Sequence, residues 1–352
     1  MPNHSDHAAS STCVSFNHLN CTGPSLPPLS RHLVLALLLI FIAATILGNL
    51  LIIAAIASFR QLQTRANALA LSLAVSDLLV GILCMPSSTL KTIYNCWFFP
   101  DVLCHWHFFA DYMFTTASVL HVTCIAFDRY VAISDPLRYA ARVTPRTLVA
   151  MLAFCWLGSA LVSSPILLSL SDHEALSGPT IHRILCPNDC FFYISIGTML
   201  VIGMGPYFAS MLVVVAVYAR IYAVARGQAR RIAASASGSQ VRGHAEEAAN
   251  SATVKNLKRE HNATKTLGAI ICSFLLSWLP FYIITIVSMF VNDMFLSYRV
   301  TLWLGYISSI VNPFLYALLN RQFRSAFRTL LSVKVFSVLG SRGDDFMGVK
   351  KS

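Results

Sequence analysis

Seven stretches of this chain are too long and too apolar to fold in water. They run over residues 33–58, 66–90, 102–134, 147–170, 191–219, 266–291 and 300–319. The first, fourth, fifth, sixth and seventh contain no Lys, Arg, Asp or Glu. The second holds only Asp77; the third holds Asp111 in its interior and Asp128-Arg129 near its end. A helix needs roughly 20 apolar residues to cross about 30 Å of hydrocarbon. Spanning strands are shorter and alternate in polarity, which these stretches do not. Hydrocarbon leaves the lipid-facing backbone only helices or closed barrels. The expected fold class is therefore an all-α membrane protein, a seven-transmembrane helix bundle. Only 12% of the residues are charged, about half the share of a soluble domain. An ordinary cytosolic enzyme, a disordered chain and a collagen-like rod are excluded.

Lys and Arg orient the bundle. The segments before the first span and between spans 2–3, 4–5 and 6–7 hold Arg31, Lys91, Arg183 and Arg299, while the opposite side holds the other 22 of the 26 basic residues. That split puts the N-terminus outside and the C-terminus in the cytosol; the expected location is the plasma membrane, crossed several times. The net charge of +11 is then a topology signal and a contact for anionic lipid, not a nucleic-acid footprint. Residues 1–32 are an extracellular tail, 33–319 the bundle and 320–352 a cytosolic end. The tail has sequons at Asn3 and Asn20 and no charged-then-apolar leader, so glycosylation without signal cleavage is expected. A third sequon at Asn262 falls on the cytosolic side and should be silent. A cytosolic loop of about 226–262 contains an Ala/Ser/Gly-rich stretch, 232–254, too poor in apolar groups to order itself. After span 7, Phe323 and Phe327 stand four apart among arginines, as in a short amphipathic helix on the inner leaflet. No cysteine follows to carry a palmitoyl anchor, and no internal repeat is visible.

The ten cysteines divide by side. Cys84, Cys124, Cys155 and Cys272 lie inside spans, where thiols pack as small apolar groups. Cys13, Cys21, Cys96, Cys104, Cys186 and Cys190 lie at or near the oxidising outer face, and by themselves allow 15 pairings. None has zinc-ligand spacing, so no transition-metal site is expected. His105 and His107 are two apart, off a common helical face, and provide neither a nucleophile–base pair nor a metal cluster. His121 reads as a packed core residue.

An ionisable group inside a span demands an explanation. Asp111 lies about two turns into span 3 from outside, and no Lys or Arg in another span offers a partner at that depth. It reads as the counter-ion of a cationic ligand. Arg129 follows 18 residues later, five turns on, so one helix face carries both groups roughly 27 Å apart. Asp77, near the middle of span 2, reads either as an acid kept neutral by burial or as an ion site. With Ser118, Ser309 and Asn312 it would offer an oxygen-lined pocket for a small hard cation, sodium above all. Pro280 kinks span 6. Above it lie Phe281 and Tyr282, and across from them Trp303 and Tyr306, aromatic faces that attract ammonium groups.

Gly48-Asn49, Leu73-Ala-Val-Ser-Asp77, Asp128-Arg129-Tyr130, Trp156, Phe274-Leu-Leu-Ser-Trp278-Leu-Pro280 and Asn312-Pro313-Phe-Leu-Tyr316 occur in order, one group per span. Together they resemble the rhodopsin-like G-protein-coupled receptors over residues 33–332. Within that family Asp111 and its aromatics resemble the amine receptors. Asp135-Pro-Leu-Arg-Tyr139, Cys96-Trp97-Phe-Phe ahead of Cys104, and the loop cysteines at 186 and 190 resemble the trace amine-associated group.

The resemblance implies a receptor for a small cationic amine, bound by Asp111, Tyr112, Thr115, Trp278, Phe281, Tyr282, Trp303 and Tyr306. It implies coupling to a stimulatory heterotrimeric G protein, a rise in cyclic AMP and an olfactory role. It further implies a Cys104–Cys190 disulfide and pairing of Cys186 with Cys13 or Cys21. The switch would comprise Asp128, Arg129, Tyr130, Glu260, Asn312, Pro313 and Tyr316, with helix 6 swinging out about Pro280. No cofactor is expected; an allosteric sodium ion at Asp77 is the one ion the spacing would admit. Departures are visible: Ser277 and Ser210 replace a usual cysteine and proline, Pro206 lies a turn nearer the outside, and Ile202 and Gly203 leave helix 5 without its usual ligand-facing hydroxyl. A serotonin-like receptor and a transporter of organic cations are the alternatives; a transporter would pass its substrate without any G protein. A second ammonium on the ligand would have only loop acids such as Glu174, Asp189 or Asp293 to meet.

Overall fold

The computed structural model describes residues 14–16, 19–21, 26–135, 137–168, 190, 197, 199–237, 268, 272–288, 290 and 295–344. Its helices are α1 (Pro28–Ser58), α2 (Arg65–Tyr94), α3 (Asp101–Ser134), α4 (Pro145–Leu168), α5 (Gly205–Ser237), α6 (Cys272–Val287), α7 (Phe295–Leu319) and α8 (Arg321–Asp344). Stretches of α1 to α5 and α7 are long and apolar enough to cross a membrane, and α6 supplies a shorter apolar segment. The seven expected spans are thus represented. In the tail, β1 (Val14–Phe16) pairs antiparallel with β2 (Leu19–Cys21), placing the sequon residue Asn20 opposite Ser15.

Polarity is reversed relative to a soluble fold. Leu157 and Leu161 of α4 are 70% and 74% exposed, whereas Asn49, Asp77, His121 and Asn312 are buried. Such a surface is matched to lipid, and the polar groups inside bond largely across helices, as Asp77 does to Ser118, Ser309 and Asn312. Buried residues of α3 form much of the central core, which joins residues of α2 and α4 to α7. Gly48 permits α1 to meet α7: a Cβ there would stand 2.8 Å from Pro313 Cγ. Asn49 Nδ2 donates to the Ser309 carbonyl across the same seam at 3.0 Å.

Prolines shape the outer halves. A π turn at Val80–Cys84 precedes Pro86, and another at Met199–Met204 precedes Pro206. Proline lacks an N–H and its ring crowds the preceding turn, so a wider turn just before it relieves both problems. The irregularity of helix 5 therefore falls at Pro206, where the sequence displaces it, and not at Ser210.

Two cytosolic features depart from expectation. Helix α5 continues to Ser237, beyond the start of the stretch read as a loop. Helix α8 is longer than the short amphipathic helix expected, and its phenylalanines pack against the bundle. Phe323 and Phe327 are buried with Tyr316, Ile52 and Ile56. The chain turns sharply at Asn320, whose Oδ1 accepts from the Gln322 N–H at 3.0 Å and caps the new helix. That turn swings the aromatic stripe beneath α1 and α7. Arg324 then faces back, its Nε donating to the Ala317 carbonyl at 3.1 Å, as suits a cation at a helix C-terminus.

Candidate functional site

The outer site is built on α3. Asp111 is half-buried, and its Oδ1 accepts from the Tyr306 hydroxyl at 2.8 Å. No second hydrogen bond to this carboxylate occurs among the described residues. Tyr306 is also 3.1 Å from Ser88 Oγ. Its ring packs edge-on against Trp278 and Trp303, with centroids 6.2 and 5.3 Å away. Phe281 and Tyr282 join the cluster from α6, with Trp278 at 5.6 and 6.4 Å. The four aromatics expected around the carboxylate are thus gathered with Trp278 into one body.

Two expected residues have more specific partners than the sequence revealed. Trp303 Nε1 donates to Thr92 Oγ1 at 3.0 Å, tying α7 to α2. Tyr112 donates to the Gly203 carbonyl at 2.5 Å, a group in the π turn before α5. Thr115 is buried one turn further down α3. Tyr207 and Tyr298 were missed. Tyr207 stacks on Tyr282 at 4.2 Å and donates to the Leu275 carbonyl at 2.5 Å; Tyr298 packs on Phe281 at 5.1 Å. Tyr207 follows Pro206 directly, and the proline was the signal that the local register of helix 5 was unusual.

A disulfide joins Cys104 to Cys190. It seats Cys190 over the outer end of the bundle, where Lys91 donates to the Cys190 carbonyl and stands 5.5 Å from the Phe108 ring centre. Cys96 is disulfide-bonded as well, a role the sequence left unassigned. Cys13 and Cys186 lie outside the described residues, as do Asn3, Glu174, Asp189, Glu260 and Asp293. Replacing Cys190 by Ser is expected to lower surface display several-fold, because the 86-residue separation makes the bridge a strong restraint on the unfolded chain. Counting receptors with an antibody to the tail checks this, and normal display would contradict a folding role for the bridge.

Deeper in the bundle Asp77 is completely buried. Its Oδ1 accepts from Ser118 at 3.1 Å and Ser309 at 2.9 Å, and its Oδ2 from Asn312 at 2.7 Å. The four residues picked for an ion site therefore meet. The buried Oδ1 atoms of Asn49 and Asn312 have no hydrogen-bond partner among the described residues.

At the inner end Arg129 is paired with Asp128. The other Asp128 oxygen accepts from the Tyr139 hydroxyl at 2.8 Å. Burial and the Asp128 carboxylate push that hydroxyl up to about 12, so it stays a donor at physiological pH. Tyr139 belongs to a one-turn helix, Tyr139–Arg142, held to the bundle by Arg65, which donates to the Ala140 carbonyl at 3.3 Å. Just ahead of it Leu137 is 96% exposed. Tyr130 is half-buried beside Arg129. The hydroxyls of Tyr218 and Tyr316 are buried without a partner among the described residues.

A carboxylate in the outer half of seven apolar helices, with a restrained arginine at the inner end of the same helix, defines a membrane receptor that passes a signal through its own bundle. A family model described as the 7 transmembrane receptor (rhodopsin family) matches residues 48–316. Trace amine-associated receptor 365 of Petromyzon marinus is 40% identical, over 99% of this chain and 93% of the relative. Trace amine-associated receptor 9 of Rattus norvegicus is 34% identical, over 95% and 97%. Receptor 7b of Mus musculus is 32% identical, over 93% and 90%. The chain belongs to the rhodopsin family of seven-transmembrane receptors and, within it, to the trace amine-associated receptors. It is a multi-pass plasma-membrane receptor and not an enzyme, and receptors of this class act through heterotrimeric G proteins.

Proposed function

We propose that this receptor answers a small primary amine whose ammonium pairs with Asp111, and that it activates a stimulatory G protein, raising cyclic AMP in an olfactory setting. The observation that carries the reading is the Asp111 carboxylate. One of its oxygens is engaged by Tyr306, and the described protein offers the other no donor. A charge in such surroundings is stable only when paired and enclosed, and an ammonium bordered by aromatic faces meets both needs. Gly203 has no side chain and its carbonyl already holds Tyr112. That position provides no side-chain hydroxyl for a catechol or a hydroxyindole, which favours a simple amine.

Binding drives the switch only through unequal affinity for two helix arrangements. Trp278, between the ligand aromatics and α7, and Pro280 make α6 the moving element. Release of Arg129 from Asp128 would open the inner face, where Leu137 offers an apolar contact to the G protein. Glu260 would add a second restraint on Arg129, and Asn312, Pro313 and Tyr316 the matching joint in α7. The basic inner surface would rest on anionic lipid. Exposing cells that display the full chain and a cyclic AMP reporter to mono-, di- and polyamines tests the function. A rise confined to amines supports it; ligand-driven ion flux in G-protein-free liposomes would replace it with a transporter.

A sodium ion fits the Asp77 cluster, where Asn312, already bonded to Asp77, has a side-chain oxygen that faces no donor among the described residues. Asp77, Ser118, Ser309 and Asn312 would hold it, supplying hard oxygen ligands and steadying one helix arrangement. Exchanging sodium for potassium should then change amine potency in the native receptor and leave an Asp77→Asn receptor indifferent. Equal sodium dependence in the two would remove the ion from the cluster.

A further inference from the structure

His107 stands one turn above Asp111 on α3. Its Nδ1 is 2.9 Å from Ser87 Oγ and its Nε2 is 3.4 Å from Ser88 Oγ. Ser88 continues to Tyr306 at 3.1 Å, and Tyr306 to Asp111 at 2.8 Å. At the far end Ser87 donates its single hydroxyl hydrogen to the Cys84 carbonyl at 3.0 Å. The ring itself is packed against Trp97 and Phe108, with centroids 5.4 and 5.6 Å away. The titratable groups facing the ring and the Asp111 carboxyl among the described residues are Lys91 and Cys84 of α2, Tyr112 of α3, Tyr282 of α6, and Tyr298 and Tyr306 of α7.

Counting hydrogens gives this chain its meaning. It contains five contacts, from the Cys84 carbonyl to Asp111, and each needs one hydrogen. The hydroxyls of Ser87, Ser88 and Tyr306 supply one each and a neutral imidazole supplies one more, leaving the chain one hydrogen short. Two placements of a further proton complete it. With the proton on Asp111, the carboxyl donates to Tyr306, Tyr306 to Ser88, Ser88 to Nε2, and Nδ1–H to Ser87. With the proton on the imidazole, both ring nitrogens donate to the serines, Ser88 donates to Tyr306, and Tyr306 donates to an ionised Asp111. The same atoms serve both arrangements, and only the hydrogens shift.

We propose that His107 is a positioning residue for Asp111: through Ser88 and Tyr306 it orients the carboxyl and shares one proton with it until a ligand ammonium takes that proton's place. The proposal rests on the reading of Asp111 as the amine partner. It accounts for how a carboxyl within the outer half of the bundle is tolerated before a ligand arrives, since the empty site carries its compensating proton within the chain. Binding an ammonium then releases one proton, with no net change of charge in the pocket.

The test uses the full-length receptor in lipid nanodiscs. The carboxylic-acid C=O infrared band of Asp111, assigned by its loss in Asp111→Asn, is followed from about pH 5 to pH 9. In the native receptor its titration should coincide with a change in the imidazole bands that vanish in His107→Phe. Ser88→Ala, which removes one oxygen at the middle of the chain, should move the Asp111 midpoint by about one pH unit. His107→Phe should do the same, and His107→Gln, whose amide offers a donor and an acceptor, should restore it. An unmoved midpoint in Ser88→Ala overturns the proposal, whether or not His107→Phe folds. Adding 2-phenylethylamine and reading cyclic AMP separates the two ideas. A coupled titration in a receptor deaf to primary amines would sink the amine reading alone. An amine response that needs Asp111, beside a titration indifferent to Ser88→Ala, would sink the proton chain alone.

Discussion

Asp111→Ala is expected to weaken the response to primary amines about 100-fold while the receptor still reaches the cell surface. Truncating one partner of a desolvated, hydrogen-bonded charge pair costs about 2–5 kcal/mol, and about 2.8 kcal/mol already corresponds to that factor. The aromatic faces cannot make up the deficit, since a desolvated cation–π contact contributes only about 2 kcal/mol. Folding should not suffer. The substitution removes an acid from an apolar bundle, and the Tyr306 hydroxyl keeps Ser88 at 3.1 Å. Cyclic AMP dose–response curves, set against receptor counts from an antibody to the tail, measure both halves of the expectation. Unchanged potency at equal display would end the amine reading.

Gly305→Ala should have the next largest effect, in the opposite sense: signalling without ligand. A Cβ on residue 305 would stand 2.7 Å from Trp278 Cε3 and Cζ3 and 2.9 Å from Cδ2. These are atoms of a rigid ring. It is packed edge-on against Phe281 and Tyr306 and tied by its Nε1 to Ser308 Oγ at 3.1 Å. With the indole held by these contacts, the added methyl must push α6 away from α7 or break the Ser308 bond. Both loosen the element proposed to move. Basal cyclic AMP per receptor should rise several-fold, and Ser308→Ala should reproduce part of the rise by removing the tether alone. Basal signalling equal to the native level in both would show that this contact does not restrain α6.

The aromatic enclosure was legible because each residue sat at the right depth in its own span, and depth is read along one helix. Partners across helices were not legible. Nothing in the spacing of Thr92, Ser88 or Ser72 announces that they receive Trp303, approach Tyr306 and meet His121, the last pair 2.8 Å apart. His107 was set aside for a related reason: it lacks a companion on its own helix, and its partners come from α2. Phe323 and Phe327 show the limit of reading one helix by itself. Their spacing correctly marks an apolar stripe on a helix, but a stripe can face lipid or protein. The turn at Asn320 decided for protein.

Hydrophobic length and the placement of basic residues determined the number of spans and their orientation, because each helix must satisfy the bilayer by itself. Isolated acids within those spans likewise marked where function lies, since hydrocarbon makes every such group conspicuous. Only the assembled bundle decided that Asp111 keeps an oxygen open while Asp77 does not, that a π turn precedes Pro206, and which hydroxyls form a continuous chain. Those outcomes depend on rotation and tilt of one helix against another, and packing sets these through contacts distant in sequence.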